Sequence, residues 1–246
     1  MPPVKFRGVP LLRQERLLIP IEVFSDSLCP WCWVEKQSLE EATRQFGSRH
    51  PEVEFEVVWR SFCLNPLFKT KCDKVFLYDE WSGGQGRFQA HLDRVAAAGA
   101  RYGVKFSVSG VMGPSRSSQI LIANVLRRRG PAAQARVVEA LFRAHFLLGQ
   151  DLSDEDFLVR LGSETAGLPA DLVRADLRDG DNGRLVDCQA EEAVEEKGVE
   201  AVPCVTVLGK YKVGGFQDAH VFEELFDRIW EENKGLLGGI PGREWR

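Results

Sequence analysis

The first clear feature in the pattern of hydrophobic and polar residues is a largely apolar run over residues 17 to 25, which contains Pro20. A short continuous apolar run is typical of a buried strand, and proline is tolerated in a strand near its start or at a sheet edge. From Cys32 the apolar residues recur on one face at helical spacing, which predicts a helix that ends at Gly47. Alternation over Val53 to Arg60 predicts a second strand.

The middle of the chain has a different pattern, in which helical repeats are broken by glycine and the β signal is weak. Ser153 is predicted to cap one of these helices, because the acidic residues after it favour a helix N-terminus. Gly198 is predicted to end the last of them. The helices are expected near residues 86–101, 116–129, 132–147, 153–162, 169–178 and 183–197.

The last part of the chain predicts a hairpin and a helix. Val202 to Leu208 and Tyr211 to Val213 flank Gly209-Lys210, a compact turn signal. A helix is predicted from Asp218 to Glu232, with Val221, Leu225, Phe226 and Ile229 on one side. A small α/β unit divided by a helical insertion explains this order of elements better than two sequential domains do. The predicted division is 17–65 with 198–233 for the α/β unit, 66–197 for the insertion, and 1–16 and 234–246 for weakly ordered arms.

Composition and charge narrow the range of partners. The chain has 246 residues, of which 44% are hydrophobic and 28% charged, and its formal net charge is −4. Basic and acidic residues are interleaved, so we expect no nucleic-acid partner, and Arg127-Arg128-Arg129 is interpreted as a solvated helix end. No apolar run approaches the roughly 20 residues that span a bilayer, so we expect no membrane partner.

The N-terminal region lacks the continuous apolar segment of a secretory signal, because Arg13-Gln14-Glu15-Arg16 separates its two leucine-rich parts. If Met1 is the native start, the expected location is the cytoplasm, with an organelle as the open alternative. A disulfide in a reducing compartment is expected to be transient and catalytic.

Cys29-Pro30-Trp31-Cys32 stands where the first strand passes into the first helix. Two thiols at this spacing and junction predict a redox pair. Cys29 is expected to be the nucleophile, because the first-turn N–H groups and the helix dipole favour its thiolate. Cys32, one turn further on, is expected to resolve the mixed disulfide. Trp31 is either an apolar rim beside the thiolate or a packing residue.

Two acidic residues precede the pair. Asp26 and Glu22 are each either a carboxylate that shuttles the Cys32 proton or an ordinary solvated or capping acid. A metal site would need a second cysteine pair or a histidine pair at ligand spacing, so we expect no metal. The four histidines are scattered along the chain at His50, His91, His145 and His220.

Five motifs stand in the chain, which are Ser25-Asp26, Cys29-Pro30-Trp31-Cys32-Trp33, Trp59-Arg60-Ser61-Phe62, Gly149-Gln150-Asp151-Leu152 and Gly198-Val199-Glu200-Ala201-Val202-Pro203. On these motifs the chain resembles the thioredoxin superfamily over residues 19 to 230, and within it the DsbA-like group and its FrnE-like branch. The resemblance implies an α/β thioredoxin fold with a large all-helical insertion. It also implies a cis Val202-Pro203 bond packed against the cysteine pair, where the backbone of Val202 can pair with a substrate strand.

The function that the resemblance implies is thiol-disulfide exchange that reduces, forms or isomerises protein disulfides. No tightly bound cofactor is expected, with glutathione as a possible reductant. The expected partners are a disulfide-containing protein or small thiol and a reductase or oxidant that recycles the pair. Two alternatives stay open: a kappa-type glutathione-dependent transferase or isomerase acting on a small molecule, and a non-catalytic accessory protein of a biosynthetic pathway.

Four further cysteines have separate expectations. Cys204 follows Pro203 and is expected to be a buried free thiol near the pair. Cys63 and Cys72 could form a second redox pair, although their spacing matches no known signature. Cys188 is expected to be a core residue of a helix.

Overall fold

The computed structural model describes residues 11–13 and 16–236 of the chain. Within these residues a mixed five-stranded sheet and a separate two-stranded ladder are combined with α-helices. The strands are β1 Leu11–Arg13, β2 Arg16–Ser25, β3 Val53–Ser61, β4 Cys72–Asp73, β5 Val111–Met112, β6 Cys204–Val207 and β7 Tyr211–Gly214. The helices are α1 Pro30–Arg49, α2 Lys74–Trp81, α3 Arg87–Ala100, α4 Arg116–Arg129, α5 Pro131–Phe146, α6 Glu155–Ala166, α7 Ala170–Arg178, α8 Gly180–Glu195 and α9 Ala219–Asn233, followed by a 3-10 turn at Lys234–Leu236.

Strand β2 is the centre of the sheet. It pairs in parallel with β3 from Leu17 to Ser25, and on its other side with β1 and β6 in antiparallel fashion. Strand β7 continues the sheet beyond β6. Every residue of β2 after Arg16 is buried, which explains why this strand was recognisable as a continuous apolar run rather than an alternating one.

Pro20 lies in the middle of this central strand, so the expectation that it stands near a strand start or at a sheet edge is wrong. Strand β1 pairs with β2 up to Leu18, and β6 pairs with it from Ile21 onward. Pro20 falls between these two partners, where its missing N–H removes no ladder hydrogen bond. Its carbonyl still accepts a hydrogen bond of 2.9 Å from the backbone N–H of Leu208.

Two predicted helix ends are wrong. Helix α1 continues through Gly47 to Arg49, because Gly47 lies on an open surface of the helix and adopts no turn conformation. Helix α6 is capped by Asp154, whose carboxylate accepts from the backbone N–H of Phe157. The hydroxyl of Ser153, the predicted cap, donates instead to Asp151 at 2.8 Å.

The inserted region contains the predicted helices and two features that the sequence pattern did not show. Helix α2 was not predicted, and β4 pairs with β5 in a short antiparallel ladder, so the insertion is not entirely helical. No helix in the described ranges is long and apolar enough to cross a membrane. The division of the chain into domains stays a prediction.

The predicted arms are only partly within the described residues. Leu11–Arg13 forms a strand, as does Arg16 at the start of β2, so the expected arm over 1–16 is wrong at these positions. Residues 1–10, 14–15 and 237–246 lie outside the described part of the chain.

The last hairpin turns one residue earlier than predicted. Its central residues are Leu208 and Gly209, with φ of 59° and 66°, and Lys210 donates to the carbonyl of Val207 at 3.0 Å. Two positive φ values are typical of the hairpin turn whose twist matches the flanking strands. Helix α9 then packs on α1 with Phe222, Phe226 and Ile229 buried, whereas the predicted Val221 and Leu225 are only half-buried.

Helix α4 joins the insertion to the end of β2. The amide of Gln119 donates to the carbonyl of Ser25 at 3.0 Å, and the hydroxyls of Ser27 and Ser118 are 2.6 Å apart. These buried hydrogen bonds hold the inserted helices against the turn between β2 and α1.

Candidate active site

Cys29 is the N-cap residue of α1, and Pro30 is the first residue of the helix. Proline suits this position because its missing N–H would have no partner inside the helix. A tight turn precedes it, in which the backbone N–H of Cys29 donates to the carbonyl of Asp26 at 2.9 Å. The Cys29 side chain makes no capping hydrogen bond. The positive end of the helix is therefore available to a thiolate at this position.

The two thiols of the pair are free and differ in burial. Cys29 is 4% exposed and Cys32 is fully buried. Burial, followed by a hydrogen bond with Cys29 and the charge of Cys29, raises the pKa of Cys32 well above its ordinary value. Hydrogen bonds from the Ser25 side chain and the Asp26 backbone oppose this shift. Cys32 therefore keeps its proton, and Cys29 is the thiol that is nearer to solvent.

The segment before β6 reaches Cys29 from the far end of the chain. The Val202-Pro203 peptide bond is cis, and the Cys29 thiol donates to the carbonyl of Val202 with an Sγ to O distance of 3.6 Å. The carbonyl of Pro203 accepts from the backbone N–H of Gly215 at 2.9 Å. Pro203 is thus tied into the hairpin, and the carbonyl of Val202 faces the thiol.

Asp26 lies buried beneath the turn that carries Cys29, with 1% of its surface exposed. One carboxylate oxygen accepts from the Leu28 backbone at 3.0 Å. The other accepts from the Leu64 backbone at 2.9 Å and from the Ser115 hydroxyl at 3.1 Å. Burial raises the pKa of Asp26, and these hydrogen bonds oppose the increase. The carboxyl group therefore joins the active-site turn to the end of β3 and the start of α4.

Glu22 has different surroundings from Asp26. Its carboxylate accepts from Arg60 at 2.7 Å and from Lys197 at 3.3 Å. These two ion pairs connect the Glu22 carboxylate to β3 and to the segment after α8. This arrangement favours a structural ion pair between β2, β3 and the segment after α8 over a proton shuttle.

Trp31 is half-buried beside the pair and packs on two elements. Its ring stacks on Phe216 with the ring centroids 5.4 Å apart, and it forms a T-shaped pair with His91 with the centroids 6.1 Å apart. Phe216 is also flanked by Tyr102 and by the guanidinium of Arg101. Trp31 therefore links the start of α1 to α3 and to the loop between β7 and α9.

Glu35 is a fully buried acid on α1 that no motif in the sequence marks. One of its carboxyl oxygens accepts from the backbone N–H of Gln217 at 2.9 Å, and the other has no hydrogen-bond partner among the described residues. Ser38 donates to the carbonyl of Gln217 at 2.7 Å. Burial raises the pKa of Glu35 to about 8. Its carboxyl group is therefore neutral at neutral pH and holds the β7 to α9 loop against α1.

No sequence pattern marks Tyr78 or Lys74, and the sequence shows His145 only as one of four scattered histidines. They are buried in the insertion next to the active-site turn, on helices α2 and α5. The capping residue Asp73, which accepts from the backbone N–H of Phe76, was the available sequence signal for α2. Since α2 has only eight residues and a glycine-rich segment follows it, helical periodicity does not develop there.

The remaining cysteines lie in different surroundings. Cys204 is buried at the start of β6, and burial raises the pKa of its thiol. Cys63 is exposed after β3, and Cys72 is partly buried at the start of β4; both are free thiols. Cys188 is exposed on α8, so its predicted place in the core is wrong. Within the described ranges, no group of three or more His, Cys, Asp or Glu side chains could hold a metal ion.

The sequence from residue 20 to residue 227 matches the family model described as a DSBA-like thioredoxin domain. The chain belongs to this family. The DsbA-like resemblance and the thioredoxin fold with a helical insertion are therefore confirmed. Its assignment to the FrnE-like branch stays a prediction.

Three of the solved structures that are similar to this DSBA-like chain represent different kinds of protein. A probable DsbA oxidoreductase from Streptomyces coelicolor is 27% identical, with a TM-score of 0.73 and coverage of 93% of this chain and 94% of that one. A 2-hydroxychromene-2-carboxylate isomerase is 17% identical, with a TM-score of 0.64 and coverage of 88% and 98%. The cytosolic disulfide reductase DsbM from Pseudomonas aeruginosa with GSH is 15% identical, with a TM-score of 0.58 and coverage of 88% and 98%. No curated protein sequence matches the chain.

Proposed function

We propose that the protein is a thiol-disulfide oxidoreductase in which Cys29 is the nucleophile and Cys32 the resolving thiol. The observation that carries this proposal is the position of Cys29 at the N-terminus of α1, in contact with both Cys32 and the carbonyl of Val202. A helix N-terminus stabilises the thiolate, which is the attacking species in disulfide exchange.

In the first step, the Cys29 thiolate attacks one sulfur of a substrate disulfide. A bond forms between the two sulfurs, the substrate S–S bond breaks, and the leaving thiolate takes up a proton. The Cys29 sulfur then has no hydrogen to donate, so the carbonyl of Val202, 3.6 Å away in the free thiol form, is available to an N–H group of the substrate. An extended substrate segment would pair with this carbonyl as an added strand does.

In the second step, Cys32 loses its proton and attacks the Cys29 sulfur. The mixed disulfide breaks, the substrate leaves with both of its sulfurs reduced, and Cys29 and Cys32 form a disulfide. Since the pKa of Cys32 is raised, this step needs a proton acceptor. Asp26 suits the role better than Glu22. Burial raises the pKa of Asp26, and the backbone of Asp26 forms a hydrogen bond with the Cys32 side chain.

A thiol such as glutathione, or a dedicated reductase, would restore the reduced pair, and an oxidant would drive the same steps in reverse. The structural similarity to DsbM, solved with GSH, supports testing glutathione first. The cytoplasmic location that the sequence predicts stays a prediction.

The test is reduction of insulin disulfides by the wild type and three serine variants in the presence of glutathione. Cys29→Ser is expected to abolish turnover. Cys32→Ser, mixed with insulin in the absence of glutathione, is expected to accumulate a mixed disulfide that survives denaturing, non-reducing electrophoresis. Cys188→Ser is the matched control, because Cys188 is an exposed thiol on α8. Wild-type turnover in Cys29→Ser would overturn the proposal.

A kappa-type glutathione-dependent isomerase is the second candidate, and the structural similarity to 2-hydroxychromene-2-carboxylate isomerase favours including it. Such chemistry on a small molecule does not require a resolving thiol. Cys32→Ser would then keep full activity toward a small electrophile in the presence of glutathione. Failure of every catalytic assay by the folded wild type would favour the accessory role instead.

A further inference from the structure

A buried series of hydrogen bonds lies behind the active-site turn. The Tyr78 hydroxyl donates to the carbonyl of Leu28 at 2.6 Å, and Nε2 of His145 lies 2.9 Å from the same hydroxyl. The Nζ of Lys74 donates to the backbone carbonyl of His145 at 2.7 Å. Tyr78 is 5% exposed, and both other side chains are fully buried. None of the steps of thiol exchange described above uses these groups.

This series of hydrogen bonds ends at the peptide group that joins Leu28 to Cys29. This peptide group is held on both sides: its N–H donates to Asp26, and its carbonyl accepts from Tyr78. The orientation of a peptide plane determines the direction of the next Cα–Cβ bond, which here carries Sγ of Cys29. Tyr78 therefore helps to hold the Cα–Cβ bond of Cys29 in the direction that places this residue at the N-terminus of α1.

The number of available hydrogens determines the direction of each hydrogen bond in this series. A phenol has one hydrogen, and the shorter distance assigns it to the carbonyl of Leu28. Nε2 of His145 then carries a hydrogen and donates to Tyr78. Burial, followed by the charge of Lys74, lowers the pKa of His145 to about 3, and a hydrogen bond with the carbonyl of Gln150 opposes the decrease, so the ring is neutral and carries one hydrogen. Nε2 lies 2.9 Å from Tyr78 and Nδ1 lies 3.4 Å from the carbonyl of Gln150, so the shorter contact receives that hydrogen. Burial, followed by the charges of Cys29 and Asp26, raises the pKa of Tyr78 well above its ordinary value, so its hydroxyl stays a donor.

We propose that Tyr78 is a positioning residue for Cys29 and that His145 acts through Tyr78 by fixing the direction of its hydroxyl. This role rests on the proposed thiol-disulfide exchange. Tyr78 is buried and contacts the backbone of Leu28, the residue before the nucleophile Cys29, so it does not touch the substrate. Its loss is expected to lower the rate of the chemical step and to leave substrate affinity unchanged.

The test compares Tyr78→Phe with Tyr211→Phe, which removes a phenol from β7 that bonds to Glu232. The first readout is the second-order rate at which iodoacetamide alkylates Cys29 in the reduced protein at pH 7. Tyr78→Phe is expected to lower this rate about tenfold, equivalent to about 1.4 kcal/mol, and to lower kcat for insulin reduction with KM unchanged. Tyr211→Phe is expected to match the wild type.

A wild-type alkylation rate in folded Tyr78→Phe would overturn the proposal, as would an equal decrease in Tyr211→Phe. Should Tyr78→Phe not fold, His145→Gln replaces it, and a wild-type rate there has the same meaning. Alkylation needs no physiological substrate. If Cys29 is alkylated slowly in Tyr78→Phe and the wild type reduces no disulfide, the proposed function is refuted and the positioning role is supported.

Discussion

The side chain of Gln134 pairs with both backbone groups of Trp59. Its carbonyl oxygen accepts from the Trp59 N–H at 2.9 Å, and its amide nitrogen donates to the Trp59 carbonyl at 2.9 Å. Trp59 lies on β3, whose described ladder partner is β2 on one side. Gln134, on α5, takes the place of a neighbouring strand on the other side. The insertion thus completes the hydrogen bonding of the sheet that supports the active site.

Gln134→Ala is expected to destabilise the protein by about 2 to 4 kcal/mol, because two buried backbone groups lose their partner. Urea unfolding followed by circular dichroism measures the change. Gln89→Ala is the matched control, since Gln89 is an exposed residue on α3 that bonds to Asp93, and its loss is expected to change the stability by less than about 0.5 kcal/mol. Equal unfolding midpoints for the two variants would contradict the role given to Gln134.

Features with a local cause were predictable from the sequence, and features that depend on packing between distant segments were not. The pair Cys29 and Cys32 was recognisable because a helix start and a strand end are local signals. The predicted helix end at Gly47 is wrong because glycine disfavours a helix only weakly, and Gly47 lies on an open surface without a turn conformation. The contacts of Tyr78 with Leu28 and of Gln134 with Trp59 join segments 50 and 75 residues apart, and no local pattern records such distances.

The two thiols of the pair are expected to differ in reactivity. Iodoacetamide at pH 7 should modify Cys29 in the reduced protein and leave Cys32 unmodified, because Cys32 is fully buried and its pKa is raised. Mass spectrometry of tryptic peptides measures the site of modification. Unfolding in urea should remove the difference, which serves as the control. Preferential labelling of Cys32 in the folded protein would reverse the roles assigned to the two residues.

Asp26→Asn is expected to slow the release of substrate from the mixed disulfide by roughly a hundredfold, the lower end of what general acid-base catalysis contributes. Rapid mixing of the reduced protein with a disulfide substrate, followed by an acid quench at successive times, measures how fast the mixed disulfide decays. Glu22→Gln is the comparison, since its partners Arg60 and Lys197 assign Glu22 a structural role. Glu22→Gln should keep the release rate and lose about 2 kcal/mol of stability. Equal release rates in Asp26→Asn and the wild type would exclude Asp26 as the proton acceptor.

Glu35 makes the stability of the fold depend on pH. Its pKa is raised from 4.5 to about 8, so between these values the folded protein holds a proton that the unfolded chain has released. The contribution of Glu35 to the free energy of unfolding is fully present below about pH 4.5 and is lost as the pH rises to about 8. The loss is on the order of 5 kcal/mol at most.

Glu35→Gln should therefore match the wild type near pH 4.5, because glutamine resembles the protonated acid and keeps an acceptor for the backbone of Gln217. Above that pH the variant should become progressively more stable than the wild type, and the difference should level off above about pH 8. Urea unfolding at half-unit pH intervals measures both curves. Glu164→Gln, which replaces an exposed glutamate on α6, is expected to follow the wild type throughout. Parallel curves for Glu35→Gln and the wild type would mean that the buried carboxyl group is charged in the folded protein, and the β7 to α9 loop would then need a cation to neutralise it.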